Sequence, residues 1–274
     1  MAAAAIDPTS WAQARSRAQE RSFMAKQVSK RRSKQGVAVV AGVGTPNGLG
    51  AALARRFASE GLHVIIAGRT LERLEAVAAT IRDAGGVATP VAADVTLDAD
   101  VRRLFDLADK KNTLELAVYN VGNNVALPLL ETPPDIFESL WKQNAFGGFL
   151  FGREAMQRLV SRNKGTLIFT GATASLRARP PFAAFASAKA ALRAVAQGLA
   201  REFGPEGIHV AHVIIDGVID GDYARGQFAA YVESKGKDGL LEPDAIADAY
   251  WTLHRQHKSA WTHELDLRPF KETF

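Results

Sequence analysis

The chain has 274 residues, 47% of them hydrophobic and 23% charged, enough for one large globular domain that buries about three quarters of its unfolded surface. It has no cysteine and its six histidines show no HExxH spacing, which excludes disulfides, thiolate catalysis and cysteine-held metal and leaves no metal site expected. The net charge of +5 is uneven: residues 1–35 hold eight Lys or Arg against Asp7 and Glu20, so the other 239 residues sit near −1. That distribution argues against a nucleic-acid-binding face on the folded part. No apolar run reaches the ~18 residues that cross a bilayer. No secretory apolar segment opens the chain, so a cytoplasmic protein is expected.

Residues 1–35 show no core-forming period. Asp7-Pro8 resembles a helix start with Pro at the first helical position, residues 10–28 fit a polar helix, and Lys30-Arg31-Arg32-Ser33-Lys34 is a charge run. The stretch reads as a solvated basic extension, or as a start assigned too early, with Met24 beginning a more usual length. A targeting peptide, a subunit-contact arm or an anionic-surface contact are the sharper alternatives, although Asp7 and Glu20 count against a transit peptide.

The folded part, 36–274, opens on Val37-Ala38-Val39-Val40-Ala41, a buried-strand pattern. Glycines follow at 42, 44, 48 and 50, and then a helical apolar pattern, Leu49, Leu53 and Phe57. A strand feeding a glycine turn and a helix N-terminus makes an anion site, because bare backbone N–H groups and the helix dipole both favour a pyrophosphate. Further strands are expected at 63–67, 87–92, 114–119, 165–170, 208–214 and 262–267. Helices are expected near 48–60, 70–84, 97–110, 134–161, 184–203 and 242–256. Strict alternation of doubly buried strands with helices implies an α/β fold, a Rossmann-type doubly wound parallel sheet of about seven strands flanked by helices. Residues 217–241 break the rhythm after the sixth strand, and read either as a lid over the substrate or as an ordinary surface loop.

In dinucleotide folds an acidic residue ending the second strand binds a free ribose 2′-hydroxyl and repels a 2′-phosphate. Here Gly68 takes that place and Arg69 follows, which favours NADP(H) over NAD(H). Asp94, before Val95, is placed either to reach the adenine or to serve a turn.

Several motifs then fall in a telling order. These are Val43-Gly44-x-x-x-Gly48-x-Gly50, Asp94, Tyr119-Asn120-Val121-Gly122, Gln143-Asn144-Ala145-Phe146-Gly147, Phe185-Ala186-Ser187-Ala188-Lys189, and Asp216-Gly217-Val218-Ile219. Together they resemble the short-chain dehydrogenase/reductase family over residues 36–268. The resemblance implies a nicotinamide dinucleotide held by Gly44, Asn47, Gly48, Leu49, Gly50, Arg69, Asp94, Val95, Asn120, Gly122, Lys189, Gly217 and Ile219. It gives Lys189 the nicotinamide ribose and Asn144 a relay water. It also implies a small-molecule substrate and a homodimer or homotetramer paired through the helices at 134–161 and 184–203. The closing stretch Trp261–Pro269 lacks the family's usual VDGG ending.

Two departures decide what the site can do. The family's catalytic tyrosine, four residues before the lysine, falls on Phe185, and its serine partner on Ala172. Other placements of the phenol known in the family fall on Phe182 and Ala174. Tyr119, Tyr223 and Tyr231 are the tyrosines left near the expected pocket. Thr170, Thr173 and Ser175 flank Ala172, and strand alternation turns Thr173 away from the face Ala172 points to, unless the strand has already ended. Leu127, Leu129, Leu130, Leu176 and Phe182 suggest an apolar pocket, or else helix-packing core. A positioned general acid contributes about 10²–10⁴-fold, so ordinary carbonyl reduction is expected to be crippled. The sequence therefore implies an NADP(H)-dependent oxidoreductase with a non-standard or water-supplied proton. The alternative is an NADP(H)-binding sensor or scaffold without turnover.

Overall fold

The computed structural model describes residues 35–122 and 124–272. The polar helix expected over 10–28 and the basic run at 30–34 lie outside the described residues. Seven strands form one parallel sheet: β1 (Val37–Ala41), β2 (His63–Gly68), β3 (Val87–Ala92), β4 (Leu114–Tyr119), β5 (Gly165–Thr170), β6 (Ile208–Ile215) and β7 (Glu264–Leu267), in the spatial order β3-β2-β1-β4-β5-β6-β7. The expected strands are all present, with β2 and β6 each one residue longer and β7 starting two residues later.

Successive side chains of a strand point to opposite faces, and here both faces are covered. Ala38 and Val40 of β1, Val64 and Ile66 of β2 and Ile168 of β5 pack beneath α1 (Leu49–Ser59), α2 (Leu71–Asp83) and α9 (Pro243–Arg255). Val37, Val39, Ala41, Ile65, Leu167 and Phe169 pack on the other side against α3 (Asp98–Lys111), α5 (Gly147–Val160) and α6 (Ala183–Phe203). This is why β1 reads as an unbroken apolar run: all five of its residues are buried. Pro90, which cannot complete a ladder on both sides, sits on the edge strand β3.

The helix expected across 134–161 runs unbroken from Pro134 to Val160 but is not α throughout: it consists of α4 (Pro134–Trp141), a π turn at Lys142–Phe146 and then α5. A π turn releases a carbonyl from the helical ladder, and the side-chain amide of Asn144 donates to Leu140 O at 2.9 Å. Tyr119 reaches across from β4 and donates its hydroxyl to Gln143 O. In 217–241 the chain forms two short helices, α7 (Asp222–Gln227) and α8 (Ala229–Lys235). Among the described residues, no helix is long and apolar enough to cross a membrane.

Candidate functional site

The strand order reverses between β1 and β4, which opens a crevice at their C-terminal ends, the place where open α/β sheets bind ligands. A cavity of about 1480 Å³ occupies it. Its floor is the glycine turn after β1. A Cβ on Gly50 would stand 2.6 Å from Gly42 O, so only glycine lets α1 approach the strand this closely. Gly44, Gly48, Leu49 and Gly50 line the cavity. Asn47 instead turns to the 217–241 stretch, where its side-chain nitrogen donates to Asp222 Oδ1 at 3.0 Å and its backbone N–H to Asp222 Oδ2 at 3.4 Å.

At the end of β2, Gly68 and Arg69 line the cavity, and so does Arg73 one helical turn on. Any side chain at 68 would overlap the Val43 carbonyl oxygen. Arg73 belongs to the first turn of α2, and no motif in the sequence marks it. Asp94 and Val95 lie on the same wall. Asp94 Oδ1 accepts from Thr96 N at 2.9 Å and Thr96 Oγ1 at 2.8 Å, a turn-forming use that leaves its other oxygen for the cavity.

Asn120 lines the cavity with its amide engaged on both sides: Nδ2 donates to Gly42 O at 3.2 Å and Oδ1 accepts from Thr170 Oγ1 at 3.0 Å. Thr170 Oγ1 in turn lies 2.8 Å from the buried Tyr250 hydroxyl, so one chain of hydrogen bonds ties the ends of β1, β4 and β5 to α9. Nothing in the local sequence marks Tyr250, which stands 80 residues from its partner.

Lys189 rises from α6 into the cavity floor. Its Nζ donates to Thr170 O at 2.9 Å and Val121 O at 3.3 Å, and lies 5.9 Å from the centre of the Phe185 ring. Burial without a carboxylate partner lowers its pKa to about 7. Gly122 is packed beside it, and Asn144, fully buried next to Gly122, carries an Oδ1 with no hydrogen-bond partner among the described residues. Ala172 and Phe185 line the cavity beside Lys189. Gly217 and Ile219 close it from the end of β6.

The strand ends at Thr170, which is the second of the two cases open for Thr173: it opens a 3₁₀ turn at Thr173–Ser175 and lines the cavity. Other expectations are corrected here. Tyr119 is fully buried in the core, bonded to Gln143 O, and is not a wall of the pocket. Leu129, Leu130 and Leu176 are exposed instead of lining an apolar pocket. The apolar walls are Phe182, Phe185, Tyr223, Phe228 and Tyr231, the last three from the 217–241 stretch.

The short chain dehydrogenase family matches residues 36–231. This chain belongs to that family. It is 32% identical over 211 residues to the uncharacterized oxidoreductase YuxG of Bacillus subtilis; the match takes in 76% of this chain but spans only 30% of that protein. It is 27% identical over 234 residues, 85% of this chain and 96% of the relative, to an uncharacterized oxidoreductase of Staphylococcus aureus. Among solved structures, a short-chain dehydrogenase from Rhodopseudomonas palustris superposes with a TM-score of 0.74 at 39% identity, covering 85% of this chain and 99% of that one. A metagenomic short-chain oxidoreductase in complex with NADP superposes with a TM-score of 0.73 at 25% identity, covering 85% and 97%. Short-chain dehydrogenases bind a nicotinamide cofactor, and the residues present fit one. Gly50 gives the close approach a pyrophosphate needs, Arg69 and Arg73 offer cations at the far end, and Lys189 stands in the floor.

Proposed function

We propose that this protein is an NADP(H)-dependent oxidoreductase in which the proton is handled by a group other than a phenol at 185. The carrying observation is an intact dinucleotide cavity whose lysine, Lys189, faces the bare ring of Phe185 across 5.9 Å, with Ala172 beside it. By the family resemblance, Gly44, Gly48, Leu49 and Gly50 hold the pyrophosphate, Asp94 and Val95 the adenine side, and Asn120, Gly122, Lys189, Gly217 and Ile219 the nicotinamide half. Asn47 contributes through its own loop, since its side chain serves Asp222.

Preference for the 2′-phosphate is supported from two sides. The overlap at Gly68 keeps an acidic residue out of the place where it would repel that phosphate. Two guanidinium groups, Arg69 and Arg73, face the same end. The bound dinucleotide supplies the hydride. The chain's own residues position the reactants, line the cavity with Tyr223, Phe228 and Tyr231, and leave no hydroxyl at 172 or 185 to donate to a carbonyl.

Titration with NADPH and NADH tests the first half. NADPH is expected to bind at least tenfold tighter, about 1.4 kcal/mol, and equal affinities would refute the preference. The double variant Ala172→Ser with Phe185→Tyr tests the second half. It is expected to gain NADPH-dependent ketone reduction by about 10²-fold or more over wild type, the size of a restored general acid. If the variant binds NADPH but reduces no faster, the two positions are not what limits the chemistry. The apolar pair also favours a second reading, an NADP(H)-binding protein without turnover. Tight NADPH binding together with wild-type inertness toward carbonyls, enones and alcohols would select it.

A further inference from the structure

Two cations in the cavity wall have no role in the site as described so far. Arg177 and Arg179 lie on the irregular stretch between the 3₁₀ turn after β5 and the start of α6, and both line the cavity. The Arg177 side chain makes no hydrogen bond among the described residues. Its Nε is buried without a partner, and its guanidinium stands 3.6 Å from Asp216 Oδ1, an ion pair too long for a hydrogen bond. That carboxylate is already served, because Thr173 donates to the same oxygen and Arg268 stands 3.2 Å from the other. Arg179 is exposed and has no ion pair among the described residues.

The acids on the cavity wall do not neutralise these two charges. Glu138 pairs with Lys142 at 2.7 Å, Glu272 pairs with Lys235 at 3.0 Å, and Asp222 accepts from Asn47. Asp94 accepts from Thr96, and Asp135, in the first turn of α4, forms no ion pair with either arginine. Nor do the two arginines stand where the 2′-phosphate is expected. In the sheet order β1 and β4 separate β5 and β6 from β2, and Arg69 and Arg73 follow β2.

We propose that Arg177 and Arg179 bind a carboxylate of the substrate, so that the site selects an anionic molecule. A guanidinium presents its donors in a planar fork that matches a carboxylate, and it has no acceptor to offer a neutral group. A buried donor without a partner is costly, and a ligand oxyanion drawn against Arg177 would remove that cost. The walls set the rest of the class. Phe182, Phe185, Tyr223, Phe228 and Tyr231 face the same cavity, so the carboxylate is carried on an apolar, ring-sized body. The two arginines determine specificity here; they hold the substrate and move no proton. The inference rests on the NADP(H) reading above and deepens it by naming the substrate class.

The test uses the full chain saturated with NADP⁺, so that the nucleotide site is filled. Two probes of matched shape, 3-phenylpropionate and 3-phenylpropionamide, are titrated by calorimetry. The carboxylate is expected to bind tighter by about tenfold or more, the scale of a charge-assisted hydrogen bond. Arg179→Gln and Arg177→Gln are each expected to cut that ratio, and the double variant to bring the two affinities together. Arg179→Lys, which keeps the charge and loses the fork, is expected to keep part of the ratio. A merely structural role would change both affinities together and leave the ratio where it was. Since Arg177→Gln also removes a charge beside Asp216 and can cost the fold, the Arg179 variants carry the test by themselves. Equal or tighter binding of the amide by the wild-type chain overturns the proposal, and so does a ratio that Arg179→Gln leaves unchanged. The titration of nucleotide alone is read separately. A chain that binds NADP⁺ without preferring the carboxylate overturns this inference only, whereas a chain that binds no NADP⁺ overturns the oxidoreductase reading and this inference with it.

Discussion

At Gly68 a backbone contact constrains a position usually discussed for its side chain. In a dinucleotide fold, an acid at the end of the second strand is the ordinary route to NAD(H), and Gly68→Asp is the natural attempt at a switch. In this protein, the Val43 carbonyl oxygen fills the place a Cβ would take. The substituted chain must push the glycine turn away from β2, where Gly42 N and Val43 N donate to Ala67 O at 2.9 and 3.0 Å. Gly68→Asp is therefore expected to lower the unfolding midpoint by several degrees and to weaken NADPH and NADH alike. A gain of NADH affinity with an unchanged midpoint, read by thermal unfolding and titration, would contradict this. The cation side is separable: Arg69→Ala and Arg73→Ala leave the turn in place, and each is expected to weaken NADPH while sparing NADH. At this scale the sequence was half legible. Arg69 could be read from its place after β2. The reason that Gly68 cannot be acidic lies in a contact with residue 43 that no local pattern carries.

Among the elements, the π turn at Lys142–Phe146 gives the site a part that helical periodicity hides. Its released backbone is held from two directions, by the Asn144 amide on Leu140 O and by the Tyr119 hydroxyl on Gln143 O. The second hold is specific, because Tyr119 is fully buried and a Cβ on Gly147 would overlap its hydroxyl. Tyr119→Phe leaves the ring packing against Phe151 and Phe169 and removes only the donor. It removes one hydrogen bond to a part-buried carbonyl, at a cost of about 0.5–1.5 kcal/mol. For a chain of this size that corresponds to a fall in melting temperature of about 2–4 °C per kcal/mol, and an unchanged midpoint would show that the bulge holds without Tyr119. The same element explains why strands and helices were readable from the sequence while the site's finer geometry was not. Val37–Ala41 and the alternation along β2 and β5 are local signals of burial on two faces. The pairings of Thr170 with Tyr250, of Asn47 with Asp222 and of Thr173 with Asp216 join residues far apart in sequence. Thr173 is ambiguous in the sequence for a related reason: alternation applies only as far as β5 runs, and no local pattern marks its end at Thr170.

Over the folded part as a whole, buried histidines tie stability to pH. His212, at the centre of β6, is wholly buried with Nδ1 3.2 Å from Glu264 and Nε2 3.4 Å from Ser175 Oγ. Burial outweighs the nearby carboxylate and lowers its pKa to about 4. His254 on α9, 3.0 Å from Thr166 Oγ1, is lowered to about 4 as well, again mainly by burial, and His63 and His209 shift in the same direction. An unfolded histidine protonates near pH 6.5, so below that value the unfolded chain binds protons that the folded chain refuses. Folding stability is then complete above about pH 6.5 and falls as the pH drops toward 4, with a slope approaching 1.4 kcal/mol per pH unit for each such histidine. Glu264, Asp98 and Asp100 extend the loss to lower pH. Arg193 holds the Glu264 carboxyl down, Arg153 and Arg102 hold Asp98 down, and the Asp94 backbone N–H with Arg103 holds Asp100 down. Urea unfolding at pH 7.5, 6.5, 5.5 and 4.5 reads the slope directly. His254→Gln keeps a hydrogen-bonding group near Thr166 without the titration, and it is expected to be less stable than wild type at pH 7.5 yet to lose less between pH 6.5 and 4.5. Parallel curves for the two proteins would show that His254 contributes nothing to the acid sensitivity.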